Sequence, residues 1–284
     1  MRAGQSSSTG TRVMLPSELD GGPFSVNRAL SLGVGVSRLR GPDLERPFWG
    51  VRVPVGLVRS LLDQANAYAE RMSPGAFFSH ITAARLWGIP LPLALHGRAG
   101  LDVAVVPGRI VPVGAGVRGH RLQVDERDLL QFGRIRVASA ARTWCDLGAL
   151  LSEEELAAAV DFLLWRRRPN HPRLSRSDLA DALGRWKGRR ARPVIERCLL
   201  SLTDRADSAP ESTMRVRFAC AGLLTPEVDC EIYTQAGVFV AMADLGWRKY
   251  RLALNYEGDG HRTDRAQWGK DLKRSPRLDA ADWP

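Results

Sequence analysis

Cysteine is scarce in this chain, and no ligand spacing accompanies it. The four cysteines, Cys145, Cys198, Cys220 and Cys230, form no CxxC or Cys/His pairing, so neither a zinc site nor a disulfide framework is indicated. Thiols of this kind are reduced and mostly buried, which fits a cytoplasmic protein. Long apolar runs are also missing. No window approaches the ~18 apolar residues of a membrane span, and the opening MRAGQSSSTGTR lacks the apolar stretch of a secretory leader. Residues 1–22 therefore read as a disordered tail, and no membrane partner is expected.

Acidic residues are short relative to basic ones. The formal net charge is +10 with a pI near 10.2. Residues 166–205 hold twelve Arg or Lys against four acids, which is +8 of that surplus. A concentrated basic segment favours a polyanion, most simply nucleic acid, through counterion release. A solvated linker and helix face is the alternative reading. At 284 residues the chain is long enough to bury a sizeable core in about two domains.

The region over 23–57 predicts a short helix, a break at Gly33-Val34-Gly35 and a restart capped by Ser37. Ala29, Gly33 and Leu39 match the small, turn and apolar positions of a helix-turn-helix, with Phe48 to Val53 as a wing strand. An ordinary helical hairpin fits the same residues. Over 58–165 the pattern predicts helices at 58–71, 79–88, 139–150 and 153–165, the last opened by the capping box Ser152-x-x-Glu155. Strands are predicted at 101–106, 118–124 and 134–138. His80, His96 and His120 fall on different elements and read as structural histidines.

The Pro- and Arg-rich run WRRRPNHPRLSRSD reads as a hinge, and residues 166–190 as a basic hinge and helix capped by Ser177. Residues 191–284 form the last unit. Helices are predicted near 191–203 and from Ser208 to Gly222, then a hairpin of 227–233 and 238–244 around Gln235-Ala236-Gly237. A strand over 250–257 and a closing basic helix from about Thr263 to Ala280 complete it.

This last unit holds the pattern richest in chemistry. Asp244 ends one apolar run, and Asn255 and Glu257 alternate in the next. Residues two apart in a strand share a face, so both point toward an Asp244 carried on the neighbouring strand, as in a divalent-ion site. His261 follows the Gly-Asp-Gly turn. Taken singly, each has a plainer reading: Asp244 as a turn residue, Glu257 as a hairpin-tip acid, His261 as a cap of the last helix.

Two family resemblances follow from these residues. PFSVNRAL, GVRVP, FSHITAARLWGIPLP, GVRGHRL and VASAARTWCDLGALL, spanning about 23–165, resemble the AbiEi-type antitoxin and transcriptional-regulator family in its actinobacterial form. That resemblance implies a DNA-reading winged helix followed by a regulatory α/β region with no catalytic residue. SAPESTMRVRF, AGLLTPEV and ADLGWRKYRLALNYEGDGHRTDRAQWGKDLKR, over about 195–283, resemble the very-short-patch-repair endonuclease-like family, of restriction-endonuclease-like fold.

The implied architecture is α+β: a winged-helix-like and small α/β region followed by a mixed sheet flanked by helices. The implied activity is divalent-metal-dependent DNA endonuclease chemistry, and the alternative is a DNA-binding regulator or antitoxin-like protein whose centre has decayed. Carried onto this chain, Asp244 is the central Mg²⁺ ligand and Glu257 a second ligand or water-orienting carboxylate. Glu211 assists from the preceding helix, and His261 is the general acid or base. Arg215, one turn after Glu211, pairs with it or contacts phosphate. Arg166, Arg167, Arg168, Arg262 and Lys270 are the remaining candidate DNA contacts.

Two departures qualify that picture. Relatives carry Glu where this chain has Asn255, whose carbonyl reaches a metal without bringing charge. A unit-charge interaction at ~4 Å is worth on the order of 4 kcal/mol at an effective dielectric of ~20. Relatives also continue past the position of Asp282-Trp283 into a further strand, which implies an unpaired sheet edge open to a homodimer or another partner.

Overall fold

In the computed structural model the described residues are 14–165, 174–205 and 208–256, with the isolated positions Leu278, Ala281 and Trp283. Among the described residues the architecture is α+β with three sheets. The first sheet pairs β1 (Phe24–Ser25), β2 (Leu44–Glu45) and β3 (Val51–Pro54) in the order β1-β3-β2, all antiparallel, with α1 (Val26–Ser31) leaving β1. Next come α2 (Leu61–Ala69), β4 (Phe77–Phe78), α3 (His80–Leu86), α4 (Leu93–His96), β5 (Leu101–Val105), β6 (Val117–Arg121), β7 (Leu129–Phe132) and β8 (Ile135–Ala138). Their strands form a mixed five-stranded sheet ordered β6-β5-β4-β8-β7.

Helices α5 (Ala140–Leu147), α6 (Glu153–Leu164), α7 (Arg176–Arg185), α8 (Arg192–Leu200) and α9 (Ala209–Cys220) follow. The chain then enters an antiparallel sheet of β9 (Glu227–Tyr233), β10 (Phe239–Trp247) and β11 (Leu252–Leu254), with β10 in the centre. The mixed sheet thus lies in residues 77–138, and the described C-terminal sheet is antiparallel throughout.

Serine sets most helix starts. Ser25, Ser60, Ser139, Ser152, Ser175 and Ser208 each accept a first-turn backbone N–H, satisfying a donor that has no partner inside the helix. The box predicted at Ser152 and Glu155 is present. For α7 the expected cap shifts: Ser175, not Ser177, takes the position, because Asp178 lies three residues on and returns a bond to the Ser175 amide.

Two N-terminal expectations need correction. Residues 17–19 form a 3-10 turn and Leu19 is buried with Phe24, Ala29 and Leu39, so residues within 1–22 belong to a small core. The helix-turn-helix reading is right about burial and turn: Ala29 and Leu39 are buried and Gly33 takes φ +80°, open to glycine at no steric cost. It is wrong about the second helix. After the turn there is a 3-10 turn of three residues, Arg38–Arg40, which ends at Gly41 where Arg38 turns back to pair with Asp43. A recognition helix of ordinary length is absent among the described residues of this region.

A larger core joins α3 to α9. Trp144 is fully buried, its Nε1–H donating to the Leu156 carbonyl at 3.0 Å, and Val216 of α9 packs into the same cluster. A second core lies on the mixed sheet around Phe77, Phe78, Val103 and Val137. In the C-terminal sheet, Val228 and Leu245 pack against Met214 and Phe218 of α9, while Cys230, Ile232, Ala241 and Ala243 pack with Leu278 and Trp283. As expected, Cys145, Cys198 and Cys230 are buried free thiols; Cys220 is exposed. Burial pushes the Cys198 thiol up to about 12.

Candidate functional site

The hairpin turn forms as the sequence predicts, but β10 runs past Asp244 to Trp247, and the strand expected over 250–257 is the three-residue β11, preceded by a 3-10 turn at Arg248–Tyr250, so that Asn255 lies just beyond it. Gly237, at φ +78°, closes the turn, with its N–H on the Thr234 carbonyl at 2.9 Å. Antiparallel register then brings β11 alongside the end of β10, Leu245 opposite Leu254. Asp244 on β10 and Asn255, just past β11, come next beyond the last paired residues. The Asp244 N–H donates to Asn255 Oδ1 at 3.2 Å, and the Tyr256 N–H donates to Asp244 Oδ2 at 2.7 Å. The two residues are therefore adjacent and both partly buried, although Asn255, expected within a strand, falls just after β11. Glu257, His261, Arg262 and Lys270 lie outside the described residues, as do Arg166, Arg167 and Arg168.

Asp244 and Asn255 offer hard oxygen donors of the kind Mg²⁺ takes, with one formal charge between them. Among the described residues no group of three His, Cys, Asp or Glu is placed to hold a metal. Glu211 is buried at the start of α9, where its Oε1 accepts the Ser208 hydroxyl at 2.6 Å. Its spacing from Ser208 is that of a capping pair, and its own N–H donates to the Ser208 hydroxyl at 3.4 Å.

Arg215 requires a correction. It does not face Glu211 as a partner or solvent as a phosphate contact. It is buried against α6, where Nη2 donates to Asp161 Oδ2 at 2.7 Å and Nη1 to the Ser201 carbonyl at 2.6 Å. The other Asp161 oxygen accepts the Thr203 N–H at 2.9 Å. Because α9 buries this face on α6, Arg215 ties α6 and α9 to the residues following α8.

A second polar cluster assembles residues expected to lie apart. Asp102, buried in the middle of β5, accepts Arg118 through Nε at 2.9 Å and Nη2 at 3.0 Å, and faces His120 Nε2 at 2.9 Å. The His120 ring stacks on His80 with centroids 4.1 Å apart, so these two histidines share one site while His96 stands alone and exposed. His80 opens α3 at φ +46°, a conformation costing a non-glycine residue on the order of 1 kcal/mol or more. Ser79 holds it there, its N–H on the Asp102 carbonyl at 3.1 Å and its hydroxyl 3.0 Å from His80 Nδ1.

Charge and burial set the protonation of this cluster. Burial pushes the Asp102 carboxyl up, but the bonds from His120 and Arg118 outweigh it and hold the group down at about 2. Burial presses the His80 pKa below its ordinary value against the opposing pull of Asp146, so the ring is neutral at pH 7. Both Asp102 oxygens are occupied, and the network fixes β5 to β6 and to the start of α3. A signal for it was present: a lone acid inside Leu101–Val105 needs cations, and Arg118 and His120, two apart, share a face of the adjacent strand.

The fold and these two clusters describe an α+β protein, with no helix among the described residues long and apolar enough to cross a membrane. No family model matches the chain. The chain is 33% identical over 206 residues to the uncharacterized proteins Rv2248 and MT2308 of two Mycobacterium tuberculosis strains, covering 71% of this chain and 70% of theirs. It belongs to the family of these mycobacterial proteins. Among solved structures it is similar to the RV2827C protein of Mycobacterium tuberculosis, with a TM-score of 0.44 and 13% identity, covering 75% of this chain and 84% of that one.

Proposed function

We propose that the protein acts on DNA, and that its C-terminal sheet carries a divalent-metal-dependent phosphodiesterase centre anchored on Asp244. The observation that supports the reading is the pair of hydrogen bonds joining Asp244 of β10 to the residues just past β11, the Asp244 N–H on Asn255 Oδ1 at 3.2 Å and the Tyr256 N–H on Asp244 Oδ2 at 2.7 Å. That is where the resemblance to very-short-patch-repair endonucleases calls for neighbouring ligands. Asp244, the Asn255 carbonyl and Glu257 would hold Mg²⁺, which supplies an activated water and neutralises charge on the scissile phosphate. His261 would exchange the proton, and Arg166, Arg167, Arg168, Arg262 and Lys270 would hold the DNA backbone. Glu211 would assist from the start of α9, as the resemblance implies, while Arg215 drops out of this set, since its side chain is bound to Asp161 on α6. An exposed edge of the C-terminal sheet would be the seat of a homodimer.

One observation favours the second reading, a DNA-binding regulator whose centre has lapsed. The Asn255 carboxamide oxygen is turned onto the Asp244 amide, so the position lacking charge is also engaged with the strand. Calorimetric titration with Mg²⁺ separates the two. The proposed centre binds Mg²⁺ in the wild type and more tightly in Asn255→Glu, while Asp244→Ala abolishes binding; folded protein indifferent to Mg²⁺ in both of the first two favours the regulator.

A further inference from the structure

Between the first sheet and α2 lies an open cleft of about 680 Å³, bordered by Arg46, Trp49, Arg52, Glu70 and Arg71. Its wall is built to hold an aromatic ring outward. In the turn before β3, Phe48 is buried edge-on against Tyr68, with ring centroids 5.0 Å apart, while the next residue, Trp49, is 85% exposed. The Gly50 carbonyl, accepting the Val26 N–H at 2.8 Å, fixes the far side of the turn. The Arg71 guanidinium stands 5.5 Å from the Trp49 ring and 5.7 Å from that of Tyr68, so one position on the indole is taken by a cation.

The charges around the ring are mainly positive. Arg46 and Arg71 form no ion pair among the described residues. Among the described residues Arg52 bonds to the Leu39 and Val51 carbonyls through Nε and Nη1 and to no carboxylate. Burial first, then the Arg46 charge, pushes the Arg52 pKa below its ordinary value, so these two cations stand close without a carboxylate between them. The one acid of the cleft, Glu70, is mostly buried and neutralised by Arg134 at 2.7 Å. An exposed indole beside unpaired guanidiniums matches a nucleobase joined to a phosphate, since every base has a face that stacks and its backbone carries the anion.

We infer that this cleft receives an unpaired nucleotide of single-stranded DNA, the base stacking on Trp49 and the adjoining phosphates drawing on Arg46, Arg52 and Arg71. Paired bases in a duplex have no free face to offer the ring. The inference rests on the reading of the protein as one that acts on DNA, and it names a strand-recognition surface separate from the C-terminal centre.

Fluorescence anisotropy of the full chain with a labelled oligothymidylate, with a duplex of the same length and with thymidine monophosphate as competitor tests it. The single strand should bind more tightly than the duplex. Trp49→Ala should weaken single-strand binding about tenfold, the scale of one lost base–aromatic stack, and leave duplex binding unchanged, while Trp49→Phe retains most of the affinity. Arg46→Gln should shallow the salt dependence by about one phosphate's share. Trp49 is exposed, so an unchanged thermal midpoint checks that the variants fold. Single-strand affinity unmoved by Trp49→Ala, or monophosphate binding as tight as the oligonucleotide, overturns the inference. Binding of neither DNA form overturns the underlying reading as well.

Discussion

Arg215 lies one turn after Glu211 on α9, and its sequence neighbourhood invites a phosphate or a carboxylate on the same helix. Its guanidinium instead enters the protein to meet Asp161, two charges shielded from water and worth keeping only together. Arg215→Ala is therefore expected to lower stability by about 3–5 kcal/mol, because it strands a buried carboxylate. DNA affinity measured on the folded fraction should not move. A thermal midpoint close to wild type, or a drop in DNA affinity without loss of stability, would show the arginine facing solvent. Asp102 and His80 extend the argument to pH. The Asp102 carboxyl is held at about 2, below its ordinary 3.8, so its contribution to stability is complete above pH 3.8 and is withdrawn as pH falls toward 2. His80 is held below 6.5, so the unfolded chain takes up a proton that the folded chain resists, and stability falls as the solution drops below 6.5. Both act in the same direction, and an NMR titration of the His80 ring should show a midpoint below 6.5; a midpoint above it would mean that Asp102 and Asp146 dominate burial.

At the scale of elements, what was legible followed local rules. The Gly237 turn, the Ser152 box and the alternation through β9 and β10 are set by residues close in sequence, and they appear where the pattern puts them. Less legible were features decided by distant contacts. β4 and β7 are strands of two and four residues with too little alternation to read, held by pairing on either side of β8. The His80–His120 stack depends on β5 lying parallel to β6, a pairing that no local pattern announces. The cap of α7 offers a clean comparison, since two serines compete for it. Ser175→Ala should cost about 1 kcal/mol, whereas Ser177→Ala, inside the helix where alanine is the better former, should be neutral or stabilise by a few tenths. Chemical denaturation of the two variants decides it, and the reverse ranking would move the helix start to Ser177. For the candidate site, the Asp244–Asn255 neighbourhood was legible because antiparallel register carries apolar alternation across two strands. The burial of Arg215 was not, because it depends on α9 meeting α6.

At the scale of the molecule, the two regions that resemble different families share structure. Val216 of α9 sits in the core built by α3 and α5 to α8, and Arg217 reaches Glu154 at 3.0 Å on the start of α6. α9 also supplies Met214 and Phe218 to the sheet that carries Asp244. The helix before the candidate centre is thus seated on the preceding region on one side and on the centre's own sheet on the other. On the proposed reading this sheet cuts DNA with a divalent ion, limited by the missing charge at residue 255. Nicking of supercoiled plasmid, with Mg²⁺ and with chelator, by the wild type, Asn255→Glu and Asp244→Ala decides it. The wild type should nick weakly and only with Mg²⁺, Asn255→Glu should nick faster and Asp244→Ala not at all. A folded Asn255→Glu protein that leaves the plasmid intact, or nicking that survives Asp244→Ala, would contradict it.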